Sequence, residues 1–89
     1  TETLIELESR YYEIISFCSD QIDSDESLSA LFSDTTDAYS EAVDDYFDVN
    51  DGYSSGRIDA SKMRKLRRSA EAFAKSLGEL EAAVQNGQL

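Results

Sequence analysis

Apolar residues recur at steps of three and four through three stretches of this chain, the period of one face of an α-helix. The first predicted helix covers about residues 2–22, where Leu4, Leu7, Tyr11, Ile14, Ile15, Cys18 and Ile22 share a face. Asp23-Ser24-Asp25-Glu26 breaks the pattern, and Ser24 or Asp25 can cap the next helix while the acids suit its positive end. The second predicted helix, about 26–48, turns Leu28, Leu31, Phe32, Thr35, Ala38, Tyr39, Ala42, Val43 and Tyr46 inward. The third, about 60–86, opens with Asp59 or Ser61 as its cap. It carries Met63, Leu66, Ala70, Phe73, Leu77, Leu80 and Val84 in strict 3-4 alternation, the pattern of a heptad seam. Gly87 stands where a terminating residue is expected, and no proline interrupts any of the three. Residues 49–58, with Gly52, Ser54, Ser55 and Gly56, read as a flexible connection, longer than the ~2–8 residues usual between bundle helices.

These elements predict an all-α fold, a small antiparallel three-helix bundle forming a single acidic domain over residues 1–89. A helical hairpin is the competing architecture, and the seam of the third helix offers a way to pair with a second copy. A chain of 89 residues buries one thin core. It has no apolar run near the ~18 residues a membrane helix needs, and its first ten residues are acidic rather than signal-like. A cytoplasmic location without membrane contact is therefore expected. The lone cysteine, Cys18, agrees with that compartment and reads as a core thiol.

Charge changes the picture. The net charge is −11, and it is unevenly spread: residues 1–56 hold fifteen Asp/Glu against Arg10, whereas residues 57–89 hold seven Lys/Arg against four acids. So acidic a surface argues against direct contact with nucleic acid and favours basic partners. On the second helix Asp34, Asp37, Glu41, Asp44 and Asp48 follow steps of three, four, three and four. They project within an arc of roughly 80°, opposite the apolar face. Such a row can imitate a phosphate backbone or dock on a groove rich in Lys and Arg. It also has an ordinary explanation as the solvated face of an acidic helix.

The basic cluster Lys62, Arg64, Lys65, Arg67 and Arg68 opens the third helix, where cations oppose the helix dipole, just as Asp44, Asp45 and Asp48 do at the end of the second. In an antiparallel hairpin the two misplaced groups meet and offset one another. A few aromatics fit the core poorly. Phe17 points about 100° or more from the centre of its helix's apolar arc. Phe47 is marginal, and Ile5 and Tyr12 form a second edge. With Tyr53 they offer a contact patch for a partner, unless a wider core absorbs Ile5, Tyr12 and Phe47.

Candidate chemistry is sparse. There is no histidine, hence no imidazole base and no Ser-His or Cys-His pair, and no Gly-rich phosphate loop. Asp48–Asp59 weakly imitates a calcium loop starting at Asp51, but Tyr53 and Lys62 would fall at the third and twelfth positions, where oxygen ligands are required. No catalytic residue, metal or cofactor is expected. The sequence points to a non-enzymatic binding module or inhibitor that presents Asp34, Asp37, Glu41, Asp44 and Asp48, with Phe17 and Phe47, to a basic surface of another protein, such as a nucleic-acid-binding protein. The alternative is a structural or oligomerising helical subunit of a larger assembly.

Overall fold

Three side-chain caps set where the helices begin. Thr3 Oγ1 accepts the Glu6 amide at 3.2 Å and starts α1, Leu4–Ser24. Asp25 ends α1 in an extended conformation, and its Oδ1 accepts the amides of Ser27 at 2.9 Å and Leu28 at 3.3 Å, which starts α2, Glu26–Ser54. Asp59 Oδ1 accepts the amides of Ser61 at 2.9 Å and Lys62 at 3.4 Å and starts α3, Ala60–Gly87. Each cap satisfies amides that the first helical turn leaves without a carbonyl partner. The computed structural model describes residues 3–54, 56 and 59–87. Its three helices pack against one another as an all-α three-helix bundle 50 × 20 × 19 Å across.

The turn between α1 and α2 is the single residue Asp25, so the helices fold straight back on each other. Ser29 Oγ donates to the Ile22 carbonyl at 2.6 Å beside it. Tyr11 Oη pairs with Thr36 Oγ1 at 2.8 Å, and Tyr39 Oη donates to Glu8 Oε2 at 2.7 Å further along. These contacts fix an antiparallel register in which Leu4, the first residue of α1, lies level with about Val43.

The core runs between the apolar faces of all three helices. Leu7, Phe73, Leu77 and Leu80 are fully enclosed, with Tyr11, Ile14, Cys18, Ile22, Leu28, Ala42 and Val84 also buried. Each large apolar side chain so enclosed contributes about 1.5–3 kcal/mol. Tyr11 is the hub. Its ring stacks on Tyr39 with centroids 4.8 Å apart and meets Phe73 edge-on at 5.7 Å. The α3 seam from Phe73 to Val84 is thus consumed inside the chain's own core.

Two expectations fail at the other end of the bundle. Residues 49–54, expected in a loop, continue α2. Val49 lies seven residues beyond buried Ala42, on the same helical line, and is half-buried, so the inward face of α2 continues past residue 48. Gly52 is helical here although glycine inside a helix costs ~1 kcal/mol relative to alanine. The connection shortens accordingly, and Gly56 turns it with φ +80°, a conformation that favours glycine. Second, Tyr46 and Met63, both expected inside, are each 45% exposed. They sit on the inward lines of α2 and α3, beyond the described start of α1, which lies level with about Val43.

Candidate functional site

The carboxylate row lies on the outward face of α2. Asp34, Asp37, Glu41, Asp44 and Asp48 are all exposed, and among the described residues none of them forms an ion pair. At 1.5 Å rise per residue the row extends about 21 Å along one side of the rod. Helical packing holds it there: Leu28, Thr35 and Ala42 on the opposite line of α2 are buried, so the row cannot turn inward.

Asp45 behaves differently from its neighbours. It is buried between α2 and α3, where Ser69 Oγ donates to its Oδ2 at 2.6 Å and the Lys65 ammonium lies 3.2 Å from its Oδ1. The Ser69 hydrogen bond, then Lys65, holds its carboxyl below the usual aspartate range despite burial. Lys65 is raised in turn, chiefly by bonding to Asp45, with Asp48 and Glu41 adding their field. The sequence grouped Asp45 with Asp44 and Asp48 as acids that meet the basic start of α3. One step around the helix toward α3 makes it an internal clasp.

Of the five basic residues opening α3, all are exposed. Among the described residues Lys65 alone of the five forms an ion pair, and Lys62, Arg64, Arg67 and Arg68 do not. The offset of charges between the ends of α2 and α3 is therefore carried by the Asp45–Lys65 clasp rather than by the whole cluster. A second ion pair joins Arg10 of α1 to Glu81 of α3, in fork geometry.

The two aromatic candidates are not brought together. Phe17, 82% exposed, borders an open groove of about 600 Å³ between α1 and α3, floored by Ile14, Cys18 and Val84 beside the side-chain-free Gly78. Phe47, 56% exposed, lies on α2 beyond the described start of α1, its ring 5.9 Å from that of Tyr46. Ile5 and Tyr12 also remain exposed, so no wider core absorbs them. Tyr12 does reach across to Tyr39, its hydroxyl 3.2 Å from the other. The Tyr53 side chain lies outside the described residues, as do Ser55, Arg57 and Ile58 of the loop that resembles a calcium site. Asp51, the first position of that loop, is helical, a geometry in which consecutive ligands cannot wrap an ion. Among the described residues no group of three or more carboxylates or thiolates is placed to hold a metal. No described helix is long and apolar enough to cross a membrane.

Compared with known proteins, the chain matches no family model, no curated protein and no solved structure.

Proposed function

We propose that this chain is a non-enzymatic protein-binding module that lays the outward face of α2 against a basic surface of a partner protein and blocks it. The observation that carries this is the row Asp34, Asp37, Glu41, Asp44 and Asp48: five exposed carboxylates on one line of a rigid helix, with no intramolecular ion pair among the described residues. Neighbouring members repel across about 5–6 Å, a repulsion that a Lys/Arg-rich groove would relieve on docking. The same spacing of negative charge along a rod suits a partner whose own ligand is a phosphate backbone. Such a field accelerates encounter, so the effect on association rate exceeds that on dissociation.

The test is site-specific photocrosslinking in the native host. A photoreactive residue at Glu41 lies on the row, and one at Asp20 of α1 lies away from it; both positions are exposed. The expected result is a discrete adduct from position 41 to a protein with a basic surface and none from position 20. Equal adducts from both positions, or none from 41, would remove the row from the function.

A further inference from the structure

Gly78 sits well inside α3, where glycine weakens a helix relative to alanine. The chain's own packing does not require it: a Cβ built at Gly78 meets no atom of another element within 4 Å among the described residues. What the absent side chain leaves is the groove of about 600 Å³ between α1 and α3, open along one side. Phe17 stands almost bare on its α1 wall, the most exposed large apolar residue described. Gly78 and exposed Ala82 form the opposite wall, and Ile14, Cys18 and Val84 form the floor. One surface therefore carries a projecting ring and, beside it, a recess that could receive a ring.

The two walls differ in charge. Exposed Glu6 and Glu13 follow the flank of α1 that turns toward α3, whereas exposed Arg67 and Lys75, with Glu71 between them, follow the flank of α3 that turns toward α1. Among the described residues Glu13, Arg67 and Lys75 form no ion pair. Helices α1 and α3 run in the same direction, since each is antiparallel to α2. A twofold axis parallel to the bundle, laid against this face, sets α1 of each copy on α3 of the other. Each Phe17 then covers Gly78 and Ala82 of the other copy, and each Glu13 comes within reach of the other copy's Lys75. An axis across the helices would instead lay α1 on itself and bring Glu13 toward Asp20, which like charges oppose. From the 21 residues of α1 and the 20 Å width of the bundle, the face is about 31 Å long and covers roughly 1,200 Å² over two copies, where stable interfaces begin. The carboxylate row points away from this face on α2, so the rows of two copies stay far apart.

We infer that the face between α1 and α3 is a self-association surface, on which two copies of this chain pair in parallel and each inserts Phe17 into the other's groove beside Gly78. Two observations select a second copy as the occupant. Ring and recess belong to one surface and border one groove, so a single twofold fills both recesses at once. The flanks of that surface carry charges of opposite sign, which the same axis brings together. A glycine that internal packing leaves unused is what close approach of another chain requires. The surface excludes the carboxylate row and holds or fails apart from it.

Sedimentation equilibrium of the chain, from about 5 to 500 µM at ~0.15 M salt, reads the association. The expected result is a reversible monomer–dimer equilibrium with a dissociation constant below about 100 µM. Phe17→Asp, at an exposed position, should weaken it about tenfold or more, as loss of a central aromatic anchor does. Gly78→Gln separates docking from folding. The new side chain starts into open space and improves helix propensity, so the melting temperature of the dilute monomer holds or rises while the dimer weakens about tenfold. Glu13→Lys and Lys75→Glu should each weaken pairing, and the two together should restore it. Thermal melts confirm that each variant folds. A chain that stays monomeric to about 500 µM would overturn the inference and leave the groove to another occupant. So would a dimer indifferent to Phe17→Asp and Gly78→Gln, or one that the double charge swap fails to restore.

Discussion

Replacing Asp45 by alanine tests the clasp between α2 and α3 quantitatively. The substitution removes a 2.6 Å hydrogen bond from Ser69 to a buried carboxylate and the ion pair with Lys65. The Ser69 hydroxyl is not orphaned, because it also reaches the carbonyls of Lys65 at 3.0 Å and Leu66 at 3.2 Å. A hydrogen bond to a charged group contributes ~1.5–3 kcal/mol. The pair with exposed Lys65 adds little, as surface ion pairs do. Alanine recovers about half a kcal/mol of helix propensity and ends the desolvation of a carboxylate. The net expectation is a loss of about 1–2 kcal/mol, or roughly 4–15 °C in melting temperature for a chain of this size.

The pH dependence carries the stronger signature. Asp45's folded pKa lies below its ordinary value of 3.8, so its contribution is present above that value and is lost as pH falls through the folded pKa. Chemical denaturation of both proteins from pH 7 downward should therefore give a constant stability gap to near pH 4 that narrows below it. Every other carboxylate is common to both proteins and cancels in the difference. Equal stability at pH 7, or a gap that persists undiminished to pH 2, would refute the clasp.

Phe73→Ala empties the centre of the core, where this side chain is fully enclosed, and should cost about 3–5 kcal/mol by urea denaturation; a loss under about 1 kcal/mol would contradict its position. Burial, with hydrogen bonding between Tyr39 and Tyr12 and from Tyr39 to Glu8, pushes the Tyr39 phenol well above its ordinary 10.0. Its contribution is thus intact below pH 10 and lost as pH rises toward the folded pKa, so Tyr39→Phe should gain on the native protein in alkaline melts. Added salt should raise the melting temperature, since a net charge of −11 is opposed by two ion pairs among the described residues; a steep fall would mean that attraction dominates.

Periodicity made most of the architecture legible. Leu7, Tyr11, Ile14, Cys18 and Ile22 on α1, and Phe73, Leu77, Leu80 and Val84 on α3, are buried as their spacing requires. Asp25 and Asp59 act as the caps that their positions allow. The end of α2 was not legible. Asn50, Asp51 and Gly52 have the composition of a turn, yet they continue α2. Ending α2 at residue 48 hid how far the α2–α3 hairpin outruns α1. Tyr46 and Met63 then read as core residues from their inward-facing lines, whereas both are exposed beyond the described start of α1. Asp45 meets the basic start of α3 through Lys65 as its position implies, but its burial was not legible, because a single position separates it from solvent-facing Asp44 at that edge of the helix.

The most direct measurement compares two charge-matched variants against the protein captured through position 41, across a range of salt. One variant carries amides at Asp34, Asp37, Glu41, Asp44 and Asp48. The other carries amides at five exposed acids elsewhere, Glu6, Glu13, Asp20, Asp23 and Glu26. If the ordered row on α2 is what the partner recognises, the first variant loses about tenfold or more in affinity and most of its salt dependence, while the second binds nearly as the native protein does. Equal losses in both would mean that bulk negative charge, and not the geometry of α2, governs the interaction.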